Sequence, residues 1–206
     1  MLTVVTPATS GALVSLEAAK AELGLPVDDT SQDQTLRRVI GRASALIARH
    51  CNQAFARETL RETFRANGRE VLILARAPAT IAAVTLDGQP LDADGWELDG
   101  RLLRRIQHDR LRHWSGLRVV VDYAAGYQLP DQPADPAAPP LPLDLEHACL
   151  QLLTALREAA GRDPMLRSLS MPDALSQSWL DPRAGAAHLP PQVAEALAPH
   201  VRHVFA

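Results

Sequence analysis

Two stretches of helical periodicity bracket a stretch of strand periodicity, and this switch constrains the fold more than any other feature of the chain. In the first, Leu36, Val39, Ile40, Ala43, Leu46, Ile47 and Cys51 recur at intervals of three and four, while Arg37, Arg38, Arg42 and Arg49 fall mostly on the other face. That spacing lines one side of an α-helix with apolar groups. In the last, Leu145, Ala148, Cys149, Leu152, Leu153, Leu156 and Ala159 form a stripe of similar width over residues 143–160. Helices with matching apolar faces bury them against each other. Between them, strands are predicted at Glu58–Phe64, Glu70–Leu74, Ile81–Leu86, Trp96–Leu98, Leu102–Ile106 and Leu117–Tyr123. The pairs Asn67-Gly68, Asp87-Gly88, Asp99-Gly100 and Ser115-Gly116 punctuate them as antiparallel hairpins do. No helical pattern separates the strands, which argues against a parallel, doubly wound sheet.

Capping residues set the remaining boundaries. A short helix is expected over Ser15–Leu23, with Ser15 as N-cap, Glu17 in the first turn and Gly24 and Pro26 ending it. Ser31 and Gln34 have the spacing of a capping box at the start of the second helix, which should end near Asn52. The segment 128–142 holds six of the sixteen prolines and reads as an extended connection. Gly161 and Pro164 close the third helix; beyond them the chain is irregular, except for a terminal helix expected over Gln192–Phe205 and weakened by Pro199. The predicted class is α+β: a helical bundle with an inserted antiparallel β-sheet domain and an extended C-terminal tail. The divisions are 1–54 (front helices), 55–127 (β domain), 128–142 (connection), 143–163 (closing helix) and 164–206 (C-terminal segment).

With 206 residues, 47% hydrophobic, and a formal charge of -3, the chain reads as globular and soluble, without the overall positive charge of a nucleic-acid or anionic-membrane binder. Lys20 is the only lysine among 21 basic residues, a skew that nucleotide bias toward arginine codons explains. Cys51 and Cys149 are too few for a zinc site or disulfide framework and are expected as buried, reduced thiols. The N-terminal residues carry no basic, apolar leader and no segment is long enough to span a bilayer, so a cytoplasmic site of synthesis and no membrane association are expected.

Enzymatic signals are sparse. No glycine pattern suits a phosphate or dinucleotide, no serine occupies a Gly-x-Ser-x-Gly elbow, and no HExxH or acidic loop suggests a metal. His200 and His203 share a face without a third ligand; His108, Asp109 and His113 read as a polar hairpin loop, and His147 as a surface or interface residue. No catalytic residue, metal site or cofactor is expected. The basic stretch 101–118, with Arg101, Arg104, Arg105, Arg110, Arg112 and Arg118 against the single acid Asp109, reads either as a solvated strand face or as a contact for DNA phosphate or an acidic neighbouring subunit.

The order of elements, and the segments VSLEAAKAELGLPVDDTSQDQTLRRVIGRASALIARHCNQAF, VVVDYAAGYQLP and LPLDLEHACLQLLTALREAAGR, resemble the head-to-tail connector (adaptor) family of tailed bacteriophages and gene transfer agents over about residues 14–162. The resemblance implies a structural protein in the neck of a virion or virus-like particle. It would form a homo-oligomeric ring, typically of twelve copies, between the portal protein and the next neck or tail-completion (stopper) protein, with DNA passing through the channel without sequence-specific binding. The connection 128–142 is longer than is usual there, Leu156 or Ala159 replaces an aromatic residue near the end of the closing helix, and the tail matches no motif. Portal docking is commonly C-terminal in that family, which makes Trp179, Leu180, Val193, Leu197, Val201 and Phe205 the docking candidates. Leu36, Val39, Ile40, Leu46, Ile47, Leu145, Cys149, Leu152 and Leu156 are the expected bundle core. A nucleic-acid-binding accessory protein using the arginine stretch is the alternative, and an enzyme of unknown type a third.

Overall fold

A computed structural model describes residues 1–160, 168–171, 175–178 and 189–202. The chain divides into two compact units, one formed by 1–12 and 53–141, the other by 13–52 and 142–206. The class is α+β, with antiparallel sheets throughout.

The helical unit contains α1 (Leu16–Glu22), α2 (Asp33–His50), α3 (Leu143–Ala160) and α4 (Pro191–Leu197). Ser15 caps α1 as expected, its hydroxyl accepting from the Ala18 N–H at 3.0 Å. The capping box of α2 does not form: Gln32 is the N-cap without a side-chain bond, and the Ser31 N–H donates instead to Asp29 at 2.9 Å. Asp29 shapes the preceding turn, so the helix begins at Asp33. There the Asp33 carboxylate lies 2.7 Å from Nζ of Lys20, which also donates to the Val27 carbonyl at 2.9 Å. The only lysine in the chain is therefore buried, with 3% exposure, and fastens α1 and the acidic turn to the start of α2.

α2 packs on α1 and α3, and α3 on α4. Leu36, Ile40, Ile47, Leu145, Cys149 and Leu152 are buried, while Val39, Leu46 and Leu156 are half-buried at the margins of the stripes. Ser44, a polar residue within the α2 stripe, accepts from the Leu13 N–H at 3.0 Å and lies 3.8 Å from the Cys149 thiol. Pro199 shortens the terminal helix as its missing N–H requires: α4 stops at Leu197 and a single 3-10 turn follows over Ala198–His200. Two short strands, Ser168–Met171 and Leu175–Ser178, pair as a hairpin in a region read from the sequence as irregular.

The β unit holds two sheets. The larger runs β1-β2-β9-β4-β5, from β1 (Leu2–Thr6), β2 (Glu58–Arg65), β4 (Ala79–Leu86), β5 (Gln89–Pro90) and β9 (Arg118–Ala125). The smaller is centred on β7 (Leu102–Gln107), flanked on one side by β6 (Trp96–Asp99) and on the other by β3 (Val71–Ile73) and β8 (Arg110–Arg112) end to end. Leu60, Val84, Val119, Val121 and Tyr123 from the first sheet meet Leu72 and Leu103 from the second, and Trp114 from the segment after β8, in one apolar core. Alternation along β9, with Val119, Val121, Tyr123 and Ala125 buried, is what made that strand readable.

β1 was not visible in the sequence, because all five of its residues are exposed and neither face is apolar by contrast with the other. Its β-branched residues and its pairing with β2 place the N-terminal segment in the β unit instead of with the front helices. The Ala125-Gly126-Tyr127 corner also has a local cause. Gly126 adopts φ +113°, and a Cβ there would stand 2.3 Å from the Ala56 carbonyl oxygen, while the Tyr127 N–H donates to Phe55 at 2.7 Å. A motif used for family resemblance is thus a requirement of close backbone approach.

Candidate functional site

The arginine stretch divides into two groups once folded. Arg101 donates through Nε to the Leu74 carbonyl at 2.8 Å, and Arg105 donates to the Gly95 carbonyl at 2.8 Å. Arg104 lies directly across from Glu97 on β6 and 3.5 Å from Asp99. These three work within the sheet. Arg110 and Arg112, on β8, are exposed, as is Arg118 at the start of β9. Cross-strand register places Arg112 opposite Arg105, a like-charge pair that costs stability in a sheet. The His108-Asp109 turn joining β7 to β8 has both residues at positive φ, as a tight two-residue hairpin needs, whereas His113, expected in the same loop, lies beyond β8.

The opposite edge of the same sheet is acidic. Asp92, Asp94, Glu97 and Asp99 are all exposed on β6 and the turn leading into it. Because Arg105 pairs with Trp96 on one side and Arg112 on the other, the acidic and basic edges face away from each other across β7. Sequence reasoning gave weight to the arginines and overlooked the acids, although four carboxylates within eight residues were legible. Which edge each occupied was not, since that depends on strand order.

The docking candidates divide similarly. Val193 and Leu197 are fully buried in the chain's own helical unit, on α4, and Val201 is half-buried. Trp179, Leu180 and Phe205 lie outside the described residues, as does His203. His200 Nε2 lies 2.6 Å from Asp144 at the start of α3, and this contact holds the Asp144 carboxyl below the usual carboxylate range. The end of α4 is tied on further by the Arg202 N–H, which donates to the Cys51 carbonyl at 2.9 Å.

The proline-rich connection is held by a polar network. Arg57 pairs with Asp135 through Nε at 3.0 Å and reaches the Ala137 carbonyl at 3.4 Å. Gln128 donates to the Leu129, Gln132 and Pro133 carbonyls and accepts from the Asp135 N–H at 2.9 Å. Side-chain amides thus supply partners that prolines, lacking N–H groups, cannot. The Asp135 carboxyl is held low chiefly by the Ala137 N–H and then by Arg57.

Buried polar chemistry is structural. Tyr123 donates to Glu62 at 2.9 Å, and the Ala75 N–H donates to the same Glu62 oxygen at 2.9 Å, joining both faces of the β core. Burial, with the neighbouring Glu62 carboxylate, raises the Tyr123 phenol. Burial pushes the Cys51 and Cys149 thiols up to about 11. A raised value leaves both as unreactive thiols at neutral pH. The folded protein at pH 8 is therefore expected to release essentially no colour from Ellman's reagent, and the denatured protein to titrate both cysteines; rapid labelling of the folded chain would refute their burial. Among the described residues no group of three or more His, Cys, Asp or Glu side chains is placed to hold a metal, and no helix is long and apolar enough to cross a membrane.

No protein-family profile and no curated protein matches the sequence. The fold does match solved structures over its whole length. A chain in the virion of a native gene transfer agent particle aligns with a TM-score of 0.57 and 22% identity, covering 100% of this chain and 97% of that one. A chain in the neck of an empty gene transfer agent particle, computed with C6 symmetry, aligns with a TM-score of 0.57, 23% identity and the same coverage. The architecture is therefore shared with components of such particles.

Proposed function

We propose that this chain is a structural neck protein of a phage-like or gene transfer agent particle, acting as a head-to-tail adaptor. The observation that carries the reading is the end-to-end correspondence of both units with particle chains, at 100% of this chain and 97% of theirs. In this role copies form a ring, about twelve in number, between portal and stopper proteins, and the ring keeps a channel open for DNA. Its work is geometric: it matches one set of interfaces to another and performs no catalysis. The buried Glu62–Tyr123 and Lys20–Asp33 contacts, which hold elements together within each unit, fit that purpose.

Near-neutral charge suits a subunit beside moving DNA, because a strongly basic lining would hold the polymer through its phosphates. The C-terminal segment from 164 onward is the portal-docking element in this reading, with Trp179, Leu180 and Phe205 as its apolar anchors. Val193 and Leu197 instead support it from within the helical unit.

Co-expression with the portal protein of the same particle, followed by purification and electron microscopy, tests the assignment. Density for the chain at the portal's tail-facing side is expected, and removal of residues 168–206 should abolish its recovery with the portal. Density elsewhere in the particle would refute the adaptor role, and unchanged recovery of the truncated chain would refute docking by the tail.

A further inference from the structure

We propose that the two charged edges of the smaller sheet are complementary halves of one head-to-tail contact, so that β8 of one copy docks against the β6 edge of the next. The inference rests on the ring reading above and names the surface that would build it. Arg110 and Arg112 project from an edge strand on which Leu111 is also 65% exposed, and β8 pairs with no strand besides β7 among the described residues. Neither arginine has an acidic partner among those residues, and Arg112 stands opposite Arg105, whose guanidinium is already committed to Gly95. Within one copy this edge is electrostatically unfavourable and apolar at its centre.

Acidic groups are present on the same molecule but on the far side of β7, where Glu97 stands across from Arg104 and none of them lies beside Arg110 or Arg112. Asp92, Asp94 and Glu97 are exposed beside β6, which also pairs only with β7 among the described residues. Adjacent strands are about 4.8 Å apart, so the two edges flank a single strand and face outward in opposite directions. Opposite charges on opposite edges cannot satisfy each other in one chain, yet do so in every successive pair of a head-to-tail array. Contacts between two different surfaces of identical subunits generate a ring when the rotation closes. Arginine forks suit carboxylates in such a contact, and the unpaired backbone groups of two edge strands add to it.

The experiment uses the full chain with two double variants, R110E/R112E and D94R/E97R, followed by sedimentation velocity at about 0.1 M salt, where screening acts over about 10 Å. All four positions are exposed, and far-UV circular dichroism checks that each variant folds. Each variant alone repels itself and should self-associate about ten-fold or more weakly than the unaltered chain. An equimolar mixture should recover the association, because each variant supplies the charge that the other lacks. Assembly of the unaltered chain that survives both reversals would show that the contact lies elsewhere and leave the ring reading standing. Failure of the mixture to recover what the single variants lose would overturn the complementary contact. A duplex-DNA affinity lost in R110E/R112E while assembly persists would assign the arginine edge to nucleic acid instead. A chain that remains monomeric alone and in the mixture would overturn this contact, whereas recovery with the portal judges the adaptor role separately.

Discussion

Trp114→Ala is expected to destabilise the β unit by about 3–5 kcal/mol, the cost of emptying a large aromatic site in a core that cannot fully collapse. Trp114 is completely buried where the two sheets meet, and its indole N–H donates to the Leu103 carbonyl at 3.2 Å on the central strand of the smaller sheet. Its backbone also closes the sheet, since its N–H donates to the Arg69 carbonyl at 2.7 Å and its carbonyl accepts from Gly68 at 3.0 Å. Removing the ring therefore leaves a cavity and takes away a second hydrogen bond from the Leu103 carbonyl, which keeps its ladder pairing with Leu72. Trp114→Phe retains part of the volume and loses the hydrogen bond, so about 2 kcal/mol is expected. Urea unfolding followed by far-UV circular dichroism reads both values, and a midpoint unmoved by the alanine variant would mean that this core is not closed by Trp114.

The second large effect belongs to Lys20. Removing one member of a buried ion pair leaves the other charge uncompensated, which costs several kcal/mol where both groups are fully enclosed. Lys20 has 3% exposure but the Asp33 side chain retains 17%, so Lys20→Ala is expected near the low end, at about 3 kcal/mol. The loss should appear as faster hydrogen exchange across α1 and the Val27 turn, because the ammonium also holds the Val27 carbonyl. Replacing both partners, as in K20M/D33L, removes the desolvation cost with the attraction and should recover much of the loss. A double variant no more stable than Lys20→Ala would show that the pair is not what the helix start depends on.

Lys20 also qualifies the arginine bias of the chain. Nucleotide composition accounts for arginine at most basic positions, but the one lysine occupies a slot between a backbone carbonyl and a carboxylate. A compact ammonium fits this slot, whereas a planar fork presents five donors and needs more partners.

α3 and most of the larger strands were legible because burial there follows a regular period. α3 spans the residues its stripe marked, and β2, β6, β7 and β9 match their patterns to within a few residues. β1 and β8 escaped notice because every residue in each is exposed, so burial writes no apolar face on β1, and the three residues of β8 are too few for their alternation to mark a strand. The α2 capping box was legible but did not form, since the Ser31 N–H is engaged by Asp29 and Asp33 by Lys20.

The candidate contact surface was half legible. The arginines were conspicuous as a run, yet a run in sequence does not say which members turn inward: Arg101, Arg104 and Arg105 satisfy the sheet, and Arg110 and Arg112 do not. By itself the sequence determined the two helix stripes and the buried strands, because each is a local periodicity written by burial; of the hairpins expected, Asp87-Gly88 and Asp99-Gly100 join paired strands, whereas Asn67-Gly68 and Ser115-Gly116 link strands of different sheets. Tertiary structure alone decided that residues 1–12 join the β unit, that Val193 and Leu197 turn inward, and that acid and base occupy opposite edges of one sheet. Those outcomes depend on which strand lies beside which, and strand order is fixed by packing between residues far apart in the chain.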